Sequence, residues 1–76
     1  MSDLPLDLRG LKCPLPALKT RKALGPLNPG DVIAVQCTDP LAAIDIPNLI
    51  RETGDTLIES ARDGGILTFR IRREAR

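Results

Sequence analysis

Leucines at 4, 6 and 8 alternate with Pro5 and Asp7, a period of two that predicts a strand with one covered face. Pro5 assigns that strand to a sheet edge or an irregular start, and Gly10 ends it. From Pro14 to Leu24 the spacing lengthens. Ala17, Leu18 and Leu24 supply an apolar side and Lys19, Arg21 and Lys22 a wet one, which predicts a helix. Gly25-Pro26 stops it, with Gly25 suited to a left-handed residue after the last turn. Asn28-Pro29-Gly30-Asp31 reads as a turn. Val32 to Cys37 is again two-periodic, with Ile33, Val35 and Cys37 on one face and Val32, Ala34 and Gln36 on the other. Asp39-Pro40 and Asp45-Ile46-Pro47 each carry a helix-start signal, an N-capping Asp ahead of Pro. They predict one helical turn over 40–44 and a short helix from Ile46 to Thr53, ended by Gly54. Thr56 to Arg62 and Ile66 to Arg73 read as strands joined by a tight turn at Asp63-Gly64-Gly65. In the last strand Leu67, Phe69 and Ile71 point in, and Thr68, Arg70 and Arg72 point out.

The order is therefore β-α-β-α-β-β. Two helices cannot cover both faces of four strands, so the expected fold is an α/β (α+β) two-layer sandwich. A four-stranded mixed sheet carries both helices on one face and leaves the other open. The first β-α-β unit should be a parallel crossover. That places the loop around Cys13 beside the loop Thr38-Asp39-Pro40, since both leave the same sheet edge.

Composition narrows the picture. With 76 residues, 42% of them hydrophobic, the chain is expected to be one domain, residues 1–76, with an aliphatic core; it has a single Phe and no Trp or Tyr. A formal net charge of +1 gives no general reason to expect nucleic acid as a partner. The charge is nonetheless uneven: Lys12, Lys19, Arg21 and Lys22 surround the first cysteine, and Arg70, Arg72, Arg73 and Arg76 crowd the end. MSDLPLDLRG has neither the basic start nor the apolar stretch of a secretory signal, and no apolar run approaches the ~20 residues that span a bilayer. The expectation is a cytoplasmic protein without membrane contact. Two cysteines and no histidine make neither a disulfide framework nor a closed zinc site.

The chemistry concentrates in Gly10-Leu-Lys-Cys-Pro-Leu-Pro16. Pro14 suits the first helical position and Pro16 the first turn, so the prolines start a stiff helix with Cys13 at or beside its N-cap. The N–H groups of Leu15 and Ala17, the helix dipole and Lys12 would favour an anion there, which predicts a thiol more acidic than usual. Without histidine there is no Cys-His catalysis, and with Pro at 16 there is no Cys-X-X-Cys pair. A lone activated thiol suits a carrier that accepts a group and hands it on. The bland reading of Cys13 is a small buried hydrophobe ahead of a helix. Asp39 and Asp45 read as helix caps, Asp7 as an exposed strand residue or a hydrogen-bond partner of the cysteine loop, and Cys37 as core.

Leu6-Asp-Leu-Arg-Gly-Leu-Lys-Cys-Pro-Leu-Pro16 resembles the signature of the TusA/SirA-like sulfur-carrier family. The likeness continues through Arg21-Lys22, Pro29-Gly30, Thr38-Asp39-Pro40, Asp45-Ile46-Pro47, Gly54 and Ile71-Arg72-Arg73. It implies the sandwich already derived and a persulfide formed on Cys13. It also implies a sulfurtransferase-type carrier rather than a self-sufficient catalyst, with no metal or organic cofactor. Its donor would be a cysteine desulfurase or rhodanese-like protein. Its acceptor would be a protein serving tRNA thiolation, cofactor sulfuration or sulfur oxidation. Gly10, Lys12, Pro14 and Pro16 would support the thiol, and Lys19, Arg21 and Lys22 would dock partners onto a monomer in transient complexes. Two rival readings predict different behaviour. A binding module would use Arg70 and Arg72 on the open sheet face, with Cys13 dispensable. A redox protein would pair Cys13 with Cys37.

Overall fold

The computed structural model describes residues 3–75; Met1, Ser2 and the Arg76 counted above in the basic C-terminus lie outside the described residues. Its elements run β1 (Leu4–Leu8), α1 (Leu15–Leu24), β2 (Val32–Cys37), α2 (Ala42–Thr53), β3 (Thr56–Asp63) and β4 (Ile66–Arg72). The sheet order is β1-β2-β4-β3. β1 pairs parallel with β2, with Leu8 opposite Cys37, while β4 pairs antiparallel with both β2 and β3. The expected α+β sandwich is thus the one observed, with Pro5 on an edge strand where its missing N–H costs no ladder bond.

Alternation did its work in the two central strands. Ile33, Val35 and Cys37 meet Leu67, Phe69 and Ile71 across the β2–β4 pair, and all six are buried. Leu8 from β1, Leu24 from α1, and Ala42, Ile46 and Ile50 from α2 complete that core. The edges are thinner. Leu4 stays about half exposed, at 49%. In β3 the register skips Ile58, Leu57 facing Ile71 and Glu59 facing Arg70. Beyond this bulge every residue to Asp63 is exposed.

Three local expectations are corrected. Leu18 is not on the covered side of α1: it is 55% exposed, and Pro16, Thr20 and Leu24, four residues apart, are buried instead. Counting Thr20 as polar shifts the apparent stripe by half a turn. Pro14 is the N-cap, with Leu15 the first helical residue, one position later than the proline rule suggested. Gly25 remains right-handed (φ −51°), so the stop belongs to Pro26, and the Arg73 guanidinium covers the Leu24 carbonyl at 2.9 Å. There a cation also meets the negative end of the helix dipole.

The two short helical pieces expected over 40–53 are one helix. α2 runs through Pro47, which has no N–H for the Ala43 carbonyl one turn back. That interruption costs about 3 kcal/mol. Burial of Ile46, Leu49 and Ile50 at roughly 1.5–3 kcal/mol each outweighs it. Gly54 ends α2 as expected, at φ +82°, giving its N–H to the Ile50 carbonyl at 3.0 Å; only glycine takes this left-handed position without strain.

Candidate functional site

The parallel β1–β2 pair brings the two loops together as anticipated. Gly10, at φ +84°, donates its N–H to Thr38 Oγ1 at 2.8 Å, and the Cys13 N–H donates to Asp39 Oδ2 at 2.5 Å. The other oxygen of Asp39 accepts the Leu41 N–H at 3.1 Å. Asp39 is not the N-cap that was expected: Leu41 holds that place and α2 begins at Ala42. Asp39 instead braces the turn ahead of α2 and is the clasp that holds the cysteine loop. These contacts draw its carboxyl below the usual range, the Cys13 N–H contributing most. Upstream, Asp7 accepts the backbone N–H of Arg9 and both arms of its guanidinium. Those bonds pull the Asp7 carboxyl down to about 2 and stiffen the exit from β1.

Cys13 is exposed, and its thiol donates a hydrogen bond to Asp45 Oδ2 at 2.7 Å. This overturns two expectations. Asp45 is not a helix cap: it sits in the first turn of α2 and turns toward α1. The thiol is not made more acidic either; its pKa is raised, first by the hydrogen bond to Asp45, then by desolvation and by the charges of Asp45 and Asp39. The helix-start argument fails for identifiable reasons. The Leu15 N–H assigned to the thiol goes to the Lys12 carbonyl at 2.9 Å, and the Cys13 N–H goes to Asp39. Two carboxylates from the neighbouring loop and helix then outweigh what remains of the dipole.

Cys13 stands where two depressions meet. One, about 540 Å³, is lined by Gly10, Leu11, Lys12, Thr38, Asp39, Pro40 and Leu41. The other, about 360 Å³, runs between α1 and α2 past Leu18, Arg21, Asp45, Asn48 and Glu52. Leu15, Leu18, Leu41 and Ile44 are large apolar side chains left exposed on the segments that carry the site. Lys19, Arg21 and Lys22 are exposed on α1, with Arg21 in the groove. From the sequence Leu18 falls on the covered side of α1, and the side chains of Leu15, Leu41 and Ile44 take no role.

Cys37 is fully buried, as read from its place in β2, and burial with the nearby Asp39 charge raises its thiol to about 11. The arginines of the open sheet face are engaged: Arg70 with Asp3 at 2.6 Å and Arg72 with Glu74 at 2.9 Å. Among the described residues no cluster of three or more metal-ligating side chains occurs. Nor is any helix there long and apolar enough to cross a membrane.

Comparison with known proteins covers nearly the whole chain. A family model described as "Sulfurtransferase TusA" matches residues 5–73. A putative sulfur carrier protein of Neisseria meningitidis is 41% identical over 69 residues, 91% of this chain and 93% of its own length. The sulfur carrier protein TusA of Allochromatium vinosum is 39% identical over 71 residues, 93% of each chain. The crystal structure of a SirA-like protein from Desulfitobacterium hafniense superimposes with a TM-score of 0.82. It covers 95% of this chain and 99% of that one at 23% identity, a likeness of fold.

Proposed function

The chain belongs to the TusA family of sulfur carriers, and from that premise we propose that Cys13 is the residue that carries the sulfur. It takes sulfane sulfur as a persulfide from a donor protein and passes the terminal sulfur to an acceptor protein. The observation that supports this reading is the contrast in access: Cys13 is exposed at the meeting of two depressions, and Cys37 is sealed in the core.

In loading, the Cys13 sulfur attacks the terminal sulfur of a donor persulfide. The donor's S–S bond breaks, its cysteine leaves with the electron pair, and the proton lost by Cys13 ends on that leaving thiol. One S–S bond is exchanged for another, so no external oxidant enters. Discharge is the same step run toward an acceptor cysteine. The chain supplies presentation rather than machinery. Pro14 and Pro16 stiffen the start of α1, and Gly10 and Asp39 tie the loop to the sheet edge, so little ordering entropy is lost on docking.

Donors of the cysteine desulfurase or rhodanese-like class and acceptors in tRNA thiolation, cofactor sulfuration or sulfur oxidation fit this role, with the carrier as a monomer in transient complexes. The exposed Lys19, Arg21 and Lys22 would steer an acidic partner surface toward the thiol, with Lys12 beside it. A reducing cytoplasm suits a thiol that must stay free.

Intact-mass measurement after incubation with a cysteine desulfurase and cysteine, without reductant, tests the proposal. Wild type should gain one sulfur atom that reductant removes, and Cys13→Ser should gain none. Equal gain by Cys13→Ser would overturn it. So would no gain by wild type from either a desulfurase or a rhodanese donor.

A further inference from the structure

A nucleophilic thiol hydrogen-bonded to a carboxylate is an odd device for a carrier. Thiol–disulfide-type exchange is carried out by the thiolate, and the sulfur that leaves must also bear negative charge. Asp45 opposes both. Its Oδ2 lies 2.7 Å from the Cys13 sulfur and accepts the thiol hydrogen, and Asp39 adds a second carboxylate at the Cys13 backbone. The charged groups set around the sulfur are Lys12 on its own loop, Arg21 on α1, Asp39 on the entry to α2, and Asp45 and Glu52 on α2. The ion pairs among the described residues are Arg9–Asp7, Arg70–Asp3 and Arg72–Glu74, and none of them engages Asp39 or Asp45. The carboxylate that touches the reacting atom thus has the thiol proton as its partner and no cation.

We infer that Asp45 is the restraining group of the transfer site: in the free carrier it holds the Cys13 thiol as a hydrogen-bond donor, and sulfur moves when a partner brings a cationic side chain against Asp45. The inference rests on Cys13 being the loaded residue. It adds the chemistry of the partner at that point, a lysine or arginine beside its own persulfide or acceptor cysteine. That cation complements Asp45, while the basic face of α1 meets acidic groups further out. With Asp45 neutralised, the Cys13 proton is free to leave as the sulfur attacks the donor's terminal sulfur, and the atoms balance as in the loading step above. A stray electrophile without the cation meets a protonated thiol, so the restraint also protects the carrier between partners.

The test uses small thiol reagents as probes. Cys13 is modified with the cationic ethyltrimethylammonium and the anionic ethylsulfonate methanethiosulfonates, and with uncharged iodoacetamide, at neutral pH and low salt. Wild type should react faster with the cationic than with the anionic reagent. In Asp45→Asn that ratio should fall about fivefold or more, the scale of one unit charge a few ångströms away in a high dielectric, while the iodoacetamide rate rises. Raising salt on wild type should draw the ratio toward one, a measurement that needs no variant. Asp45→Ser, checked by circular dichroism, serves if the Asn variant is misfolded. A wild-type ratio at or below one would overturn the inference, as would a ratio and iodoacetamide rate unchanged in a folded Asp45 variant. Neither result depends on persulfide loading, so failure here and failure of the carrier reading are told apart by the mass experiment.

Discussion

The two cysteines of this chain have thiols shifted in the same direction by different leading causes. Cys37 resists ionisation because it is buried between two strands. Cys13 resists it at the surface, because Asp45 takes its hydrogen bond and a second carboxylate stands nearby. Acidity therefore does not distinguish the thiol proposed to carry sulfur from the one in the core. Access and replaceable partners do: a docking protein can displace a carboxylate, but only unfolding can expose the core.

Labelling gives the largest expected separation. Native protein in excess iodoacetamide should take up one adduct, at Cys13. The second should appear at a rate set by opening of the core and become fast in denaturant. Peptide mapping decides it, and prompt native labelling of Cys37 would break the contrast. Substitution comes next. Cys37→Ser places a hydroxyl among aliphatic side chains and should cost about 1–3 kcal/mol in urea unfolding, with sulfur loading retained in the folded fraction. Cys13→Ser should leave the urea midpoint nearly unchanged.

Alkaline pH gives the smallest effect. The folded Cys37 thiol ionises at about 11 against an ordinary 9.0, so the folded state holds the proton longer than the unfolded one. Its contribution is whole below pH 9 and is lost as pH rises toward 11. Wild type should lose stability across that window faster than Cys37→Ala, by about 2 kcal/mol at most. Parallel curves for the two proteins would remove burial as the cause.

Much of the fold could be read from residues close together in sequence. Alternation in 32–37 and 66–72 marked the central strands and their inward faces, and Gly54 and Asp63-Gly64-Gly65 marked real stops. The parallel crossover also foretold that the Cys13 and Thr38–Pro40 loops would touch. The electrostatics of that contact were not legible. Asp45 was assigned to its own helix because a capping signal is local, whereas its partner lies 32 residues earlier. Leu18 was assigned to the core because periodicity gives a spacing and not a neighbour, and Thr20 filled the place instead. Pro47 carries a local signal for a break, and burial of its neighbours keeps the helix whole.

The separation between Cys13 and Asp45 has a consequence during synthesis. A ribosome adding about 5–20 residues per second delivers Asp45 roughly 2–6 s after Cys13. Until the chain folds, the thiol has neither the carboxylate at its sulfur nor the Asp39 clasp at its backbone, so the nascent chain carries a more acidic cysteine than the finished protein. Folding is then the event that quiets the thiol, because only the folded chain holds Asp39 and Asp45 against Cys13.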